Sequence, residues 1–303
     1  VDMSEERKVW LNGELIPWEN ATVPLLSHGF SRGSAIFEVI GTHVGPNGTM
    51  AFRMDEHLKR LERSATLLGM ELAYDHETII EAVIETVKAN HMGRGLIKIL
   101  AYWGEEAIIR LVLDSKLDMA IFAIPDNEEL GLDEAVPISA CLSKWRKIHP
   151  ETVPVGAKAC SNYLNGYLAR RDANNRGYDV GILLGTDGFV AEGSIESVFL
   201  IEDGVLKTPP LGRILSGITR LSILQAAQTA GIPTAEGSIF RETLFGADEI
   251  FTTHSGIKVS PVARFEDRTL GAPGPITKQL MELMDNITNL RDDRFRNWFQ
   301  PLS

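Results

Sequence analysis

The sequence predicts an α+β fold divided into two domains, and three observations lead to this prediction. The chain has 303 residues, more than a single hydrophobic core usually serves. Strand-like and helix-like segments follow one another without the regular alternation of a doubly wound parallel sheet. An acidic segment without periodicity interrupts the pattern near residue 130. We therefore predict a small amino-terminal domain over 1–124, a linker over 125–136 and a larger carboxy-terminal domain over 137–303.

The first elements are predicted to be β-strands. An Asn12-Gly13 pair lies between two apolar runs within 8–18, which is a strong signal for a hairpin turn. Segments 34–44 and 49–54 are typical of a second strand pair, joined by a turn at 45–48.

Two helices and three further strands complete the predicted amino-terminal half. Apolar residues at helical spacing predict helices over 54–70 and 75–91. We expect Asp55 to cap the first helix and Gly69 to end it. The strands are predicted over 95–104, 108–114 and 117–125.

Short strands between two helices are predicted for the carboxy-terminal half. The helices cover 161–177 and 217–231, and Gly231 ends the second. Between them, turns at 186–188 and 202–204 divide a series of short apolar runs, which indicates a β-meander.

Composition excludes several classes of protein. The net charge of −11 argues against nucleic acid as the main partner. Cys141 and Cys160 are too few for a disulfide framework, and no apolar run is long enough to span a bilayer. The amino terminus lacks the apolar core of a signal peptide. We therefore expect a cytoplasmic protein without a bound metal.

Lys158 is the first candidate for chemistry. It lies in the stretch VPVGAKACSNYL, among small and mostly apolar residues. Burial disfavours the ammonium form, and a neutral amine attacks aldehydes to form a Schiff base. Taken alone, a lysine in such a stretch is more often one that extends its amine to solvent from a strand end. Tyr163 follows five residues later and brings a phenol, although an isolated tyrosine is more often part of a core.

Three further features belong to the same chemistry. Glu192 is a carboxylate in the apolar context FVAEGSIESVFL, where a protonated pyridine nitrogen would be a suitable partner. Gly217, Ile218 and Thr219 open a predicted helix, whose free amides and hydroxyl can bind an anion. A polar turn with Ser255 offers hydroxyls and amides for the same anion. Each feature also has an ordinary structural explanation, as a solvent-facing glutamate, a capped helix or a turn.

Together these groups match the requirements of pyridoxal 5′-phosphate. That cofactor needs an amine for its aldehyde, an acid for its ring nitrogen, a phenol for its 3-oxygen, and amides with hydroxyls for its phosphate.

The sequence resembles the fold-type IV pyridoxal-phosphate enzymes, which are the class IV aminotransferases, and most closely the branched-chain amino acid aminotransferases. The matching stretches include EHLKRL, KACSNYLNGYL, EGSIESVF, LGRILSGITR and ADEIFTTHSGIKVSPV. The resemblance implies a fold like that of D-amino acid aminotransferase. In that fold a small α/β domain is followed by a larger domain with a barrel-like sheet, and the cofactor lies between them. It also implies a homodimer or larger assembly in which a loop of the neighbouring chain completes the substrate pocket.

The resemblance assigns roles to particular residues. Lys158 is implied to be the catalytic Schiff-base lysine, Glu192 the partner of the ring nitrogen and Tyr163 the partner of the phenolic oxygen. Leu215 is implied to pack on the ring face. The phosphate ligands implied are Arg60, Gly217, Ile218, Thr219 and Ser255.

The substrate half departs from the branched-chain pattern. Arg32 stands where these enzymes commonly have tyrosine, and Lys98 where they have arginine. The turn usually written Gly-Thr-Ala-Ala is His254-Ser255-Gly256-Ile257 here. We expect the substrate to be bound by Phe37, Arg32, Lys98, Gly256 and Ile257.

The activity implied is transfer of an amino group between an amino acid, foremost an L-branched-chain one, and 2-oxoglutarate. Because the stretch IFEVI also fits the D-amino acid aminotransferases and the (R)-selective amine transaminases of this fold type, those activities stay open as alternatives. An aminodeoxychorismate lyase and a non-catalytic homologue are two further alternatives, and the intact Lys158, Tyr163 and Glu192 argue against the second.

Overall fold

The computed structural model describes residues 7–46, 48–127 and 130–302. The chain forms two compact units. Unit 1 comprises Val1–Gly131, Ala157–Ser161 and Thr288–Ser303, and unit 2 comprises Leu132–Gly156 and Asn162–Ile287. These units are discontinuous along the chain, whereas the predicted domains are contiguous, so the domain boundaries stay a prediction.

Unit 1 contains one antiparallel sheet, whose strands are numbered along the whole chain. They are β1 Lys8–Leu11, β2 Glu14–Pro17, β3 Ala35–Gly45, β4 Gly48–Phe52, β5 Gly95–Tyr102, β6 Asp118–Pro125 and β15 Phe299–Pro301. Their order in the sheet is β15-β4-β3-β5-β6-β1-β2. The hairpin predicted at Asn12-Gly13 is confirmed, since both residues have positive φ and β1 pairs with β2 across them.

Three helices belong to unit 1: α1 His28–Arg32, α2 Met54–Leu67 and α3 His76–Ala89. The apolar faces of α2 and α3 pack on one face of the sheet and form its core, around residues such as Leu58, Ile79 and Ile99. Asp75 caps α3 by accepting a bond from the amide of Thr78.

Two expectations for unit 1 are wrong. Asp55 is not an N-cap, because α2 begins one residue earlier and Asp55 lies in its first turn. Residues 108–114 do not form a strand. Both edges of β5 and of β6 are already paired, so no edge is open for a strand between them. The apolar side chains of this segment are exposed instead, with Ile109 at 89%.

Unit 2 contains a mixed sheet. Its strands are β7 Ile138–Arg146, β8 Val180–Leu184, β9 Ser197–Glu202, β10 Val205–Thr208, β11 Thr234–Glu236, β12 Glu249–Thr253, β13 Ser260–Phe265 and β14 Arg268–Thr269. They are ordered β11-β10-β9-β12-β13-β7-β8, and β14 pairs with β13. The predicted turn at 202–204 is confirmed as the hairpin between β9 and β10.

The helices of unit 2 are α4 Tyr163–Asn175, α5 Ile218–Thr229 and α6 Arg241–Gly246, and a further helix, α7, covers Pro275–Thr288. Gly231 follows α5 with φ +73°, as expected for a residue that ends a helix. Within the described part of the chain, no helix combines the length and the hydropathy needed to cross a membrane. The cytoplasmic location stays a prediction.

Gly166 allows α4 to approach the strand connection that carries Glu192. A Cβ atom at Gly166 would lie 2.0 Å from the carbonyl oxygen of Ser194. Because that oxygen belongs to the main chain, it cannot move aside as a flexible side chain would.

We predict that Gly166→Ala lowers the free energy of unfolding by about 2 kcal/mol or more, through displacement of α4. Urea denaturation followed by circular dichroism measures the change. The control is Asn174→Ala, at an exposed position of the same helix, where we expect a change within about 0.5 kcal/mol. Equal stability of the two variants would contradict the packing described.

Candidate active site

The main chain of unit 1 fixes the position of Lys158. The amide of Phe37 donates to the Lys158 carbonyl at 3.1 Å, and Ile36 forms an antiparallel bridge with Ala159. The Lys158 amide donates to Ser64 Oγ at 3.0 Å. Lys158 is therefore attached to β3 and α2 through both of its peptide groups.

The side chain of Lys158 is half-buried and lies on an aromatic ring. Its Nζ is 4.7 Å from the centroid of the Phe37 ring. Lys98 Nζ lies 5.3 Å from the same centroid. Phe37 therefore brings together the predicted catalytic lysine and one of the predicted substrate-binding residues.

A buried cluster of three ionisable side chains lies beside this lysine in unit 1. Glu38 accepts hydrogen bonds from Arg60 Nε at 2.7 Å and Arg60 Nη2 at 2.6 Å. It also binds His57 Nδ1 at 2.7 Å. Ser64 Oγ donates to the Arg60 carbonyl at 2.8 Å, so the cluster and the main chain of Lys158 share one hydroxyl.

Within the cluster, Glu38 is ionised and its charge is balanced by Arg60. Burial alone would raise the pKa of Glu38, but the charge and hydrogen bonds of Arg60, joined by His57, lower it to about 2. Burial lowers the pKa of His57 despite its carboxylate partner. His57 is therefore neutral near pH 7, with its proton on Nδ1 facing Glu38. The structure thus shows Arg60 bound to Glu38, and its predicted contact with phosphate stays a prediction.

In unit 2, Glu192 lies in the connection between β8 and β9 rather than within a strand. Its carboxylate forms an ion pair with Lys147 through Oε1. Its Oε2 accepts a hydrogen bond from the amide of Leu215 at 3.0 Å. Glu192, the acid expected to bind the ring nitrogen, is thus oriented by Lys147 and by the Leu215 amide. Leu215 is also the residue expected to pack on the ring face.

The start of α5 has the properties of an anion site. Gly217 is its N-cap residue and offers no side chain to its amides. Ile218 and Thr219 form the first turn, and both are buried. A Cβ at Gly217 would lie 2.7 Å from Ser197 Oγ, so only glycine fits this approach without displacing a neighbour. First-turn amides, a hydroxyl and the helix dipole favour a bound anion here.

The turn after β12 is held by bonds within itself. The His254 amide donates to the Ile257 carbonyl at 3.0 Å, and the Gly256 amide donates to His254 Nδ1 at 3.1 Å. Burial lowers the pKa of His254, which leaves Nδ1 free to accept. Lys258 Nζ donates to the Ser255 carbonyl at 2.6 Å. The Gly256 amide, expected to bind substrate, is therefore engaged by the histidine that replaces the glycine common in this turn.

Two other candidate residues, Arg32 and Tyr163, lie at helix ends. Arg32 ends α1, and its Nη2 donates to the Ile108 carbonyl at 2.9 Å. Tyr163 is the first residue of α4 and is partly buried. Their contacts with substrate and cofactor stay predictions.

The sequence interpretation missed Glu38, His57, Ser64 and Lys147. One signal was present: His57, Arg60 and Ser64 have the i, i+3, i+7 spacing that places polar residues on one helical face. Glu38 lies in the apolar strand segment IFEVI, where a carboxylate needs a partner. No sequence pattern marks Lys147, since nothing in the stretch KWRK distinguishes it from the basic residues Lys144 and Arg146.

The residues present fit pyridoxal phosphate chemically. Unit 1 offers an amine held on an aromatic ring. Unit 2 offers a carboxylate held by a cation, and an N-terminus of a 12-residue helix without a side-chain cap. Among the described residues, no group of three or more His, Cys, Asp or Glu is arranged to hold a metal ion.

The fold, together with the Lys158 amine, the Glu192 carboxylate and the start of α5, defines a transaminase. Residues 35–265 match the family model of the class IV aminotransferases. The chain belongs to this family, and it is an aminotransferase.

Individual relatives make the likeness more specific. The chain is 32% identical to the branched-chain-amino-acid aminotransferase of Salmonella typhimurium, over 97% of both chains. It is 33% identical to the enzyme of that name from Escherichia coli K12, over 90% of both chains. The crystal structure of a branched-chain aminotransferase from Thermoproteus uzoniensis with norvaline superposes with a TM-score of 0.93 at 36% identity, covering 98% of this chain and 99% of that one. The predicted resemblance and the fold-type IV class are confirmed.

We predict that Glu38→Gln lowers the free energy of unfolding at pH 7 by about 3 kcal/mol, because it leaves the Arg60 charge buried without a counter-ion. The folded-state pKa of Glu38 is about 2, lowered from 4.5. Its stabilisation is therefore complete above about pH 4.5 and is lost as the pH falls toward 2. The difference between the two proteins should shrink over that interval.

Urea denaturation at pH 7 and at pH 3.5 measures both effects. The control is Glu56→Gln in α2, the helix that carries Arg60; its ion pair with Lys59 is partly exposed and should contribute less than about 1 kcal/mol. A Glu38→Gln protein as stable as the control variant would show that the cluster does not hold a buried charge.

Proposed function

We propose that this aminotransferase acts on L-branched-chain amino acids, with pyridoxal phosphate as cofactor and 2-oxoglutarate as amino acceptor. The observation that carries the proposal is likeness over nearly the full length of both chains to enzymes named for that substrate. The structure of another branched-chain amino acid aminotransferase, complexed with N-(5′-phosphopyridoxyl)-L-glutamate, superposes with a TM-score of 0.92 at 30% identity. It supports both the cofactor and an acidic second substrate.

The proposal gives each residue a chemical task. Pyridoxal phosphate, when bound, supplies an aldehyde that condenses with an amine and a ring that accepts an electron pair. Lys158 Nζ would hold the cofactor aldehyde between turnovers and would move a proton between the substrate Cα and the cofactor C4′. Glu192 would bind the ring nitrogen, and Tyr163 would donate to the phenolic oxygen. Arg60 and the start of α5, with Ser255, bind the phosphate.

The substrate side of the proposal depends on one ring and two cations. The amines of Lys158 and Lys98 both lie near the Phe37 ring, which would give an aliphatic side chain an apolar contact. Lys98 offers a positive charge to the second carboxylate of 2-oxoglutarate, whereas an aliphatic substrate leaves that charge in solvent. The amide of Ile257 and the guanidinium of Arg32 would bind the substrate carboxylate, whereas Gly256 lies in the same turn with its amide already donating to His254.

Spectral titration of the cofactor-loaded protein tests this function. We expect L-leucine and L-glutamate to convert its visible absorption band, and D-alanine and an (R)-aryl-ethylamine to leave it unchanged. Lys158→Ala should lower turnover by about a thousandfold or more, and Lys88→Ala, on the exposed side of α3, should match the unaltered protein. Conversion by D-alanine but not L-leucine would replace the proposal with the D-amino acid alternative. Pyruvate release from aminodeoxychorismate without an acceptor would identify a lyase.

The assembly is proposed to be a homodimer or a larger homo-oligomer. Segment 108–112 carries four apolar side chains that are at least 73% exposed: Ile108, Ile109, Leu111 and Val112. Leu25 and Phe30, on a neighbouring segment of unit 1, are also exposed. Contiguous apolar surface of this kind is typical of an interface between protein chains.

We predict that Ile109→Glu shifts the protein toward monomers and weakens self-association at least tenfold, because it places a charge in the apolar interface. Sedimentation velocity over a concentration series measures the change. The control is Val44→Glu, at an exposed position outside both segments, which should associate as the unaltered protein does. A monomeric unaltered protein would refute the proposed assembly.

A further inference from the structure

The structure points to a role for Lys147, a residue that no sequence pattern singles out. Its side chain is 9% exposed, and that of its partner Glu192 is 14% exposed. Two charged groups this far from solvent are costly apart and constrain each other's position when paired. We propose that Lys147 is the positioning residue of Glu192: it holds the carboxylate in one orientation toward the cofactor ring nitrogen. This inference rests on the proposed function.

Both partners are fixed by β8. The Lys147 amide donates to the Leu184 carbonyl at 2.8 Å, on one edge of that strand. On its other edge, the Leu183 amide donates to the Glu192 carbonyl at 2.8 Å. The ion pair therefore joins two main-chain positions that the sheet already holds, so its formation costs side-chain freedom but no further main-chain freedom.

The two carboxylate oxygens of Glu192 have different partners. Lys147 Nζ binds Oε1 and the Leu215 amide binds Oε2. Two donors on separate oxygens fix the plane of the carboxylate, and each oxygen keeps a lone pair for another donor. The Lys147 ammonium beside Oε1 keeps the carboxylate turned toward the ring nitrogen. A carboxylate at that nitrogen favours the protonated ring, which is the form that accepts electrons best.

Lys144 provides a matched comparison. It belongs to β7, which ends immediately before Lys147, but its side chain is 68% exposed and its nearest acid, Asp172, is 3.8 Å away. Loss of Lys144 removes the same charge from the same segment without touching Glu192.

The experiment uses protein loaded with pyridoxal phosphate labelled with ¹⁵N in the ring. The ring nitrogen chemical shift distinguishes pyridinium from pyridine, and a purely structural role of Lys147 would not move it. At pH 7.5 we expect a pyridinium shift in the unaltered protein, in Lys147→Arg and in Lys144→Met. In Lys147→Met and Lys147→Gln we expect a displacement toward the pyridine value and about tenfold weaker cofactor binding in equilibrium dialysis.

The variant Glu192→Gln, used as the background for Lys147→Met, tests whether Lys147 acts through Glu192. Because Lys147 acts through Glu192, adding Lys147→Met to Glu192→Gln should change neither the nitrogen shift nor the cofactor dissociation constant further. Lys147→Gln keeps a donor of similar length, so it remains informative where Lys147→Met does not fold.

The outcomes separate the inference from the function beneath it. An unaltered protein that binds no cofactor, or whose ring nitrogen is not protonated, overturns the proposed role of Glu192 and with it the proposed function. A pyridinium shift unchanged in both Lys147→Met and Lys147→Gln overturns only the role of Lys147. A Lys147→Met effect of equal size with and without Glu192 also overturns it, because the lysine then acts by another route.

Discussion

The main-chain pairing between β3 and the segment around Lys158 is the constraint on which the active site depends. The segment Ala157–Ser161 belongs to unit 1, although the chain before and after it belongs to unit 2. It is attached there by the Phe37 amide and by Ser64 Oγ, so backbone bonds place the amine independently of its own side chain. Ala157 and Ala159 are almost completely buried. Larger residues beside the lysine would separate this segment from the sheet, which explains why its neighbours are small.

Each unit holds a carboxylate that is largely withdrawn from solvent next to a cation. In unit 1 Arg60 binds Glu38 through two nitrogens, and in unit 2 Lys147 binds Glu192. Such pairs contribute little net stability compared with apolar packing, but loss of one partner leaves an uncompensated charge and is costly. They therefore serve to fix charge and geometry, which an aminotransferase needs around a reactive amine and an electron-accepting ring.

Turns and helix ends, which depend on local sequence patterns, were predicted from the sequence. Contacts between residues that lie far apart along the chain were missed. Asn12-Gly13 and Gly231 act through their own φ angles, so their neighbours were enough to predict a hairpin and a helix end. The apolar run 108–114 has the local pattern of a strand, but strand formation needs an open sheet edge, which only the topology reveals. Lys147 meets Glu192 across 45 positions of the chain. The residues next to Lys147 and Glu192 in the sequence do not indicate that the two are in contact.

The cofactor and substrate halves of the site differ in how firmly they are held, and this difference explains why the sequence identifies the family more readily than the substrate. Glu192 and the start of α5 are fixed by main-chain and ionic contacts. Arg32, by contrast, is exposed and donates to a single carbonyl in an exposed segment. Lys98 lies on β5 diagonally opposite Phe37 on β3, where its stem can contact an aliphatic substrate and its amine an acidic one. If the acceptor is 2-oxoglutarate, Lys98 beside the Phe37 ring suffices for both substrates. Replacing Lys98 then changes the substrate preference without disturbing Lys158.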